Sequence, residues 1–259
     1  MRADGTTFVT GWTTDKGCVR QENEDAFLVA PHLGLWAVAD GMGGHEDGSI
    51  ASQALVAELK TIAPPLSAMD LREACEAAVF AANARLQALS STRGGVIIGS
   101  TLVVLLIFEN SYACIWSGDS RIYLVRAGAI SPLTRDHTEL EDLLAQGVLS
   151  AEEAQRWPRR NVITRAIGVA SEPELEMTSG TLVLGDTFIL CSDGLTSHVT
   201  SAEIQAIVGA ATPQDACDRL LQKTLERGAS DNVTIVVARH EMKATTLVQP
   251  GRSPMTLLE

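Results

Sequence analysis

Short apolar runs bounded by Gly, Asp or Asn recur at both ends of this chain and are interrupted by two long helical patterns. Runs this short, punctuated by turn-forming residues, read as strands rather than helices. They predict strands near Phe8–Thr13, Ala26–Ala30, Leu35–Ala39, Thr101–Phe108, Tyr112–Ser117, Ile122–Arg126, Phe188–Cys191 and Val233–Ala238. Helices are predicted over Ser49–Ile62 and over the alanine-rich Ala68–Leu89, where apolar residues recur at three- and four-residue spacing. Asp70 and Glu73 suit a capping box at the start of the second helix. A later helix fits Pro213–Glu226, with Thr212 as N-cap and Pro213 in the first turn. Strands, two helices, many strands, a helix and a last strand do not make the strict β-α alternation of a parallel sheet. The order implies antiparallel or mixed sheets with helices outside. The first and last strands both carry acidic motifs, so the two ends belong to one core. A single domain over residues 1–242 is expected, followed by a disordered tail over 243–259 with two prolines and little pattern.

Four aspartates sit where these runs stop or start: Asp40 after Leu35–Ala39, Asp119 after Tyr112–Ser117, Asp193 after Phe188–Cys191 and Asp231 before Val233–Ala238. Carboxylates at strand ends can converge on one rim of a sheet, where they repel one another unless a hard divalent cation lies between them. Gly41, directly after Asp40, lets a backbone carbonyl approach the same cation. A further acidic pair, Glu24–Asp25, follows Arg20, whose guanidinium fork matches two phosphate oxygens. Carboxylates for metal and an arginine for an oxyanion point to phosphoryl chemistry. An arginine beside acids is also the pattern of a surface salt bridge, and a glycine-rich turn such as Gly41–Gly44 is also an ordinary loop. That turn lacks the lysine of a P-loop.

Composition narrows the classes. Hydrophobic residues make up 46% of 259 and charged residues 20%, enough for a sizeable core. A net charge of −12 argues against a nucleic-acid binder, which needs a basic footprint. Five widely spaced cysteines form no CxxC pattern and imply reduced thiols in a cytosolic protein. Five histidines without HxH or HExxH argue against zinc and leave Mg²⁺ or Mn²⁺. The N-terminus has no apolar stretch of signal-peptide length, and Val96–Phe108 falls short of the ~20 residues a membrane span requires. The expectation is a cytoplasmic protein with no membrane partner.

The polar, helix-prone segment 137–166 is inserted between strand blocks and concentrates Arg156, Arg159, Arg160 and Arg165. It reads either as a solvated face or as a mobile flap that meets an anionic substrate.

The motifs Arg20–Asp25 (RQENED), Asp40–His45 (DGMGGH), Gly99–Leu105 (GSTLVVL), Ser117–Arg121 (SGDSR), Arg135–His137 (RDH), Asn161–Gly168 (NVITRAIG), Cys191–Gly194 (CSDG) and Ser230–Asn232 (SDN) resemble, in that order, the signature of bacterial type 2C, metal-dependent serine/threonine protein phosphatases. The resemblance covers about residues 7–240. It implies an α+β fold: a four-layer αββα sandwich of two central antiparallel β-sheets flanked by helices, with a flap insertion over about 137–166. It implies that Asp40 bridges two Mn²⁺ or Mg²⁺ ions, with Gly41 offering its carbonyl and Asp193 and Asp231 completing the ligands. Glu24 and Asp25 would act through waters, Arg20 would hold the phosphate, and Asp119, shared with Asp193, would bind a third, weaker metal. Animal members carry a histidine directly after the Asp-Gly pair as the proposed general acid. Here Met42 stands there, which leaves His45 or a water for that role.

The implied activity is hydrolysis of phosphoserine and phosphothreonine in proteins by direct water attack. The resemblance also implies phosphoprotein substrates, a cognate Ser/Thr kinase as opponent and a context that includes type VI secretion; a monomer is the default expectation. Two other classes stand beside it: a silent phosphoprotein-binding relative, against which the intact acidic set argues, and another two-metal hydrolase such as a nuclease or small-phosphate esterase.

Overall fold

The computed structural model describes residues 6–43, 47–154 and 156–243. In chain order its elements are β1 (Thr6–Asp15), β2 (Asp25–Ala30), β3 (Leu35–Gly43), α1 (Asp47–Leu59), α2 (Ala68–Thr92), β4 (Ile98–Ser100), β5 (Leu102–Phe108), β6 (Ser111–Ser117), β7 (Arg121–Arg126), β8 (Ala129–Pro132), α3 (Glu139–Ala145), α4 (Ala151–Ala154), β9 (Glu176–Thr181), β10 (Thr187–Cys191), α5 (Asp193–Thr196), α6 (Ser201–Gly209), α7 (Pro213–Glu226) and β11 (Val233–Met242). The strands form one sheet in the order β1-β11-β10-β7-β8 and another in the order β2-β3-β5-β6-β9, with β4 added to β3. Every strand pairing described is antiparallel.

Alternation along the strands sorts the side chains into three apolar layers. Leu35, Ala37 and Ala39 of β3 pack with Leu102, Val104 and Leu106 of β5 against α1 and α2, through Leu55, Leu59, Cys75 and Val79. The intervening Trp36 and Val38 turn to the other side with Val103 and Leu105, and meet Ile122, Phe188, Leu190 and Val236 of the other sheet. On that sheet's far face Ile189, Ile235 and Val237 pack with Ile204, Val208, Cys217 and Leu220 of α6 and α7. The result is the four-layer αββα sandwich the motifs implied. The near-continuous apolar runs of β5 and β10 follow from it, because both faces of each sheet are covered.

Register then sets where the site lies. Asp15 pairs with Val233, Cys191 with Ile235 and with Arg121, which brings the ends of β1 and β10 and the starts of β7 and β11 to one end of the first sheet. Asp25 pairs with Asp40 and Leu102 with Ser117, which does the same for β2, β3, β5 and β6. All four strand-end aspartates therefore lie toward the same end of their sheets.

Three local expectations are corrected. The N-cap of α2 is Ser67, whose hydroxyl accepts from the Asp70 N–H, so Asp70 occupies the third helical position and its carboxylate accepts from the Leu66 N–H instead. α2 also runs on to Thr92, beyond Leu89. The strand expected over 101–108 starts one residue later, as β5, with Thr101 between it and β4. Thr212 caps α7 with Pro213 in its first turn, as expected. The segment 244–259 of the expected tail lies outside the described residues.

Candidate metal centre

Asp25 and Asp40 stand directly opposite each other in the antiparallel pairing of β2 and β3. Asp40 is fastened through its main chain: its N–H donates to Thr101 Oγ1 at 3.2 Å, and its carbonyl accepts from the Thr101 N–H at 2.8 Å and the Ser100 hydroxyl at 2.9 Å. Thr101 in turn shares a 2.8 Å hydrogen bond with Ser120, beside Asp119. The two sheets are tied at this end by Ser192, whose hydroxyl donates to Asp25 Oδ2 at 2.8 Å and accepts from the Thr234 N–H at 3.0 Å. Asp193, directly after Ser192, opens α5, and Asp231 ends the loop before β11.

Asn232 fixes the loop that carries Arg20 and Glu24. Its amide donates to the Lys16 and Glu22 carbonyls, at 3.0 and 2.9 Å, and its Oδ1 accepts from the Glu24 N–H at 2.8 Å. Glu24 returns a carbonyl to the Gly41 N–H. A Cβ at Gly41 would collide with the Gly48 carbonyl, so only glycine lets β3 run between Glu24 and α1.

Charge couples the acids. Burial pushes the Asp25 carboxyl up to about 7 against the lowering hydrogen bonds from Thr234 and Ser192, with Asp193 and Asp231 adding to the rise. Burial and then Asp193 push Asp119 up to about 7. Asp193 rises to about 6 through burial and Asp231. Asp40 lies well above the usual carboxylate range, through burial and the charges of Asp25, Asp193, Asp119 and Asp231. Glu24 is raised mainly by burial, with Arg20 opposing.

Among the described residues no three His, Cys, Asp or Glu side chains close into a ready-made ligand cage. Carboxylates that share a site repel one another unless a cation lies between them. Two further features fit a hard cation. The donors on this rim are oxygens, and Asp25 Oδ1 and Asp119 Oδ1 are buried without a hydrogen-bond partner among the described residues.

Arg20 Nη2 donates to Asp231 Oδ2 at 2.6 Å, and its side chain is half exposed. This is the salt bridge left open by the sequence, and it holds the guanidinium at the rim. His45 lies outside the described residues. In the segment 137–166, α3 and α4 stand on a clamped root: the His137 N–H donates to the Gly118 carbonyl, the Thr164 N–H donates to the His137 carbonyl, and Thr138 bridges Ile163. His137 Nδ1 accepts from the Gly118 N–H at 3.1 Å, which assigns the ring proton to Nε2, 3.3 Å from Glu176 Oε1. Arg159 pairs with Glu139, and Arg165 with Glu174 and Glu176, so half of the basic concentration is neutralised within the protein.

Sequence reasoning assigned no role to Ser192, Asn232, Thr101 or His137. Ser192, Asn232 and His137 stand inside quoted motifs, next to the acids, and that adjacency was the available signal.

Residues 18–243 match the protein phosphatase 2C model. The chain belongs to the protein phosphatase 2C family. It is 36% identical over 227 residues to the serine/threonine protein phosphatase PstP of Mycobacterium tuberculosis, a match covering 87% of this chain and 43% of PstP. The chain thus spans less than half the length of that relative. It is 31% identical over 248 residues to the serine/threonine phosphatase stp of Listeria monocytogenes, covering 92% of this chain and 96% of stp. Among solved structures it resembles PppA, described as a key regulatory component of T6SS in Pseudomonas aeruginosa, at 36% identity and a TM-score of 0.84, covering 91% of this chain and 99% of that one. It resembles the catalytic domain of PstP in complex with two manganese ions at 33% identity and a TM-score of 0.80, covering 91% and 99%. The protein phosphatase 2C family is metal-dependent, in keeping with an oxygen-lined rim at the sheet ends. Within this member, no described helix is long and apolar enough to cross a membrane.

Proposed function

We propose that the protein hydrolyses phosphoserine and phosphothreonine in phosphoproteins, using two Mn²⁺ or Mg²⁺ ions. The observation that carries this is the set of acids Glu24, Asp25, Asp40, Asp119, Asp193 and Asp231, delivered from strand ends to one rim and coupled in charge, in a protein phosphatase 2C fold. Asp40, the Gly41 carbonyl, Asp193 and Asp231 would hold the two ions, Glu24 and Asp25 would act through waters, and Asp119 with Asp193 would hold a third, weaker one. Bound there, the ions supply Lewis acidity that polarises the phosphoryl group and lowers the pKa of a water.

The chain's own residues prepare the rest. Ser192 fixes Asp25, Thr101 and Ser100 fix Asp40, and Asn232 sets Glu24 against the start of β11. Arg20, held on Asp231 at the rim, is placed to turn its guanidinium fork to phosphate oxygens. Proton donation to the leaving alkoxide falls to His45 or a water, because the residue after Asp40-Gly41 is Met42.

The reading extends to a single catalytic domain over 1–242, supported by β1 and β11, which pair from Thr6 opposite Met242 to Asp15 opposite Val233. It extends to a flap over 137–166, a cytoplasmic monomer, and a bacterial Ser/Thr kinase as opponent. The likeness to PppA supports a link to type VI secretion. The test is release of phosphate from a phosphothreonine peptide with Mn²⁺, with and without EDTA. Turnover abolished by EDTA is expected. Tight peptide binding without turnover in any divalent metal would favour a silent binding relative instead.

A further inference from the structure

β3 continues past Asp40, and its side chains keep alternating. Trp36 and Val38 face the other sheet; Asp40 and then Met42 follow on that face, Met42 roughly 7 Å beyond Asp40 along the strand. β4 pairs with this extension, Met42 opposite Gly99 and Gly43 opposite Ile98. Ile98 is fully buried on the helix side with Ala51, Ala54 and Leu86. Gly99 therefore faces the Asp40 side, and Ile97 stands just before β4, its carbonyl against Gly43. A third segment joins through the Ser100–Ile167 bridge and brings Val169 alongside. A Cβ at Gly99 would lie 3.0 Å from Val169 Cγ2 and 3.6 Å from Met42 Cγ, so these two side chains close over the glycine. Ile97 is 60% exposed and Val169 49% exposed. Asp47, which packs toward Gly43, is neutralised by Arg93.

We propose that Met42, Ile97 and Val169 form a subsite that receives an apolar side chain one or two residues from the phosphorylated residue of a protein substrate. This rests on the phosphatase reading and names its substrate preference. The occupant follows from position. A phosphorylated side chain that reaches Asp40 carries its neighbours along the same face, and one or two residues of extended chain span about 3.5–7 Å. The strip's own side chains carry no charge, so it rewards an apolar neighbour by removing surface from water and offers an acidic or hydroxylic one nothing.

The experiment compares two phosphothreonine peptides that differ only by Leu or Ser beside the phosphothreonine, with each kcat/KM divided by that for p-nitrophenyl phosphate, which has no neighbouring residue. The wild type should favour the Leu peptide about tenfold, equivalent to about 1.4 kcal/mol. Ile97→Ser with Val169→Ser should bring the ratio close to one, while Leu66→Ser, at an exposed apolar residue elsewhere, should leave it unchanged. A wild type that treats both peptides alike, or a double variant that keeps the preference, overturns the subsite. So does a wild-type dimer, seen by sedimentation, that the double variant dissolves without altering peptide preference, since the strip would then be a self-association face. Failure to hydrolyse all three substrates, p-nitrophenyl phosphate included, would instead remove the phosphatase reading and the subsite with it.

Discussion

Asn232 shows how much of a catalytic rim depends on residues that need not touch the substrate. It is buried, and its side chain serves both ends of the 16–24 loop. Asn232→Ala would leave two carbonyls and one N–H without these partners, and unmade buried hydrogen bonds cost about 1–3 kcal/mol. We expect a loss of about 2 kcal/mol in urea denaturation together with weaker Mn²⁺ binding; a variant as stable as wild type would show that water replaces the side chain without cost. Arg20 acts differently. Half exposed on Asp231, it contributes little to stability as an ion pair. Arg20→Ala should therefore raise KM for a phosphopeptide about tenfold with an almost unchanged Tm. A large drop in Tm with KM intact would make it a structural residue. Its chemical type was readable from the sequence, but its partner was not, because Asp231 lies 211 residues away and only the β1–β11 pairing brings them together.

Caps and the flap root belong to the scale of elements. Ser67→Ala should cost α2 about 1 kcal/mol, the usual value of an N-cap, and Asp70→Ala should cost less. The reverse order of urea midpoints would restore Asp70 as the cap. The sequence favoured Asp70 because Ser67 lies among Pro64, Pro65 and Leu66, where no helical pattern marks the boundary. At the flap root, burial and then Arg165 lower the His137 pKa, against the raising effect of Glu176; Arg135 also lowers it. The folded state thus keeps His137 neutral, while the unfolded chain takes up a proton near the ordinary value of about 6.5. The stability it contributes is present above that value and lost as pH falls below it. Wild type should lose Tm relative to His137→Gln between pH 7 and pH 5, and parallel pH curves for the two proteins would contradict this. Strands β8 and β9 escaped the sequence for a common reason. Both are edge strands, and the alternating exposure of Glu176–Thr181 leaves no apolar run to detect.

At the scale of the whole molecule, antiparallel register does the decisive work, gathering carboxylates from both halves of the chain at one end of two sheets. The sandwich was legible because both sheets are covered on both faces, which leaves β3, β5 and β10 as apolar runs closed by Asp40, Glu109–Asn110 and Ser192. The site residues were legible as types at strand ends. Their coupling was not, since mutual pKa elevation depends on burial that no spacing encodes. A rim of raised, repelling acids should gain stability when cations bind: Mn²⁺ at 100 times its Kd would add about 2.7 kcal/mol by linkage, seen as a rise in Tm that EDTA reverses. An unchanged Tm would mean that the rim does not hold the ion. The central claim is that these carboxylates perform metal-dependent dephosphorylation, and the most direct test is phosphate release from a phosphothreonine peptide at saturating Mn²⁺ by wild type and by Asp193→Asn. We predict steady turnover by the wild type and a loss of at least about 100-fold in kcat for the variant, equivalent to about 2.7 kcal/mol of barrier. Equal rates from the two proteins would contradict the account.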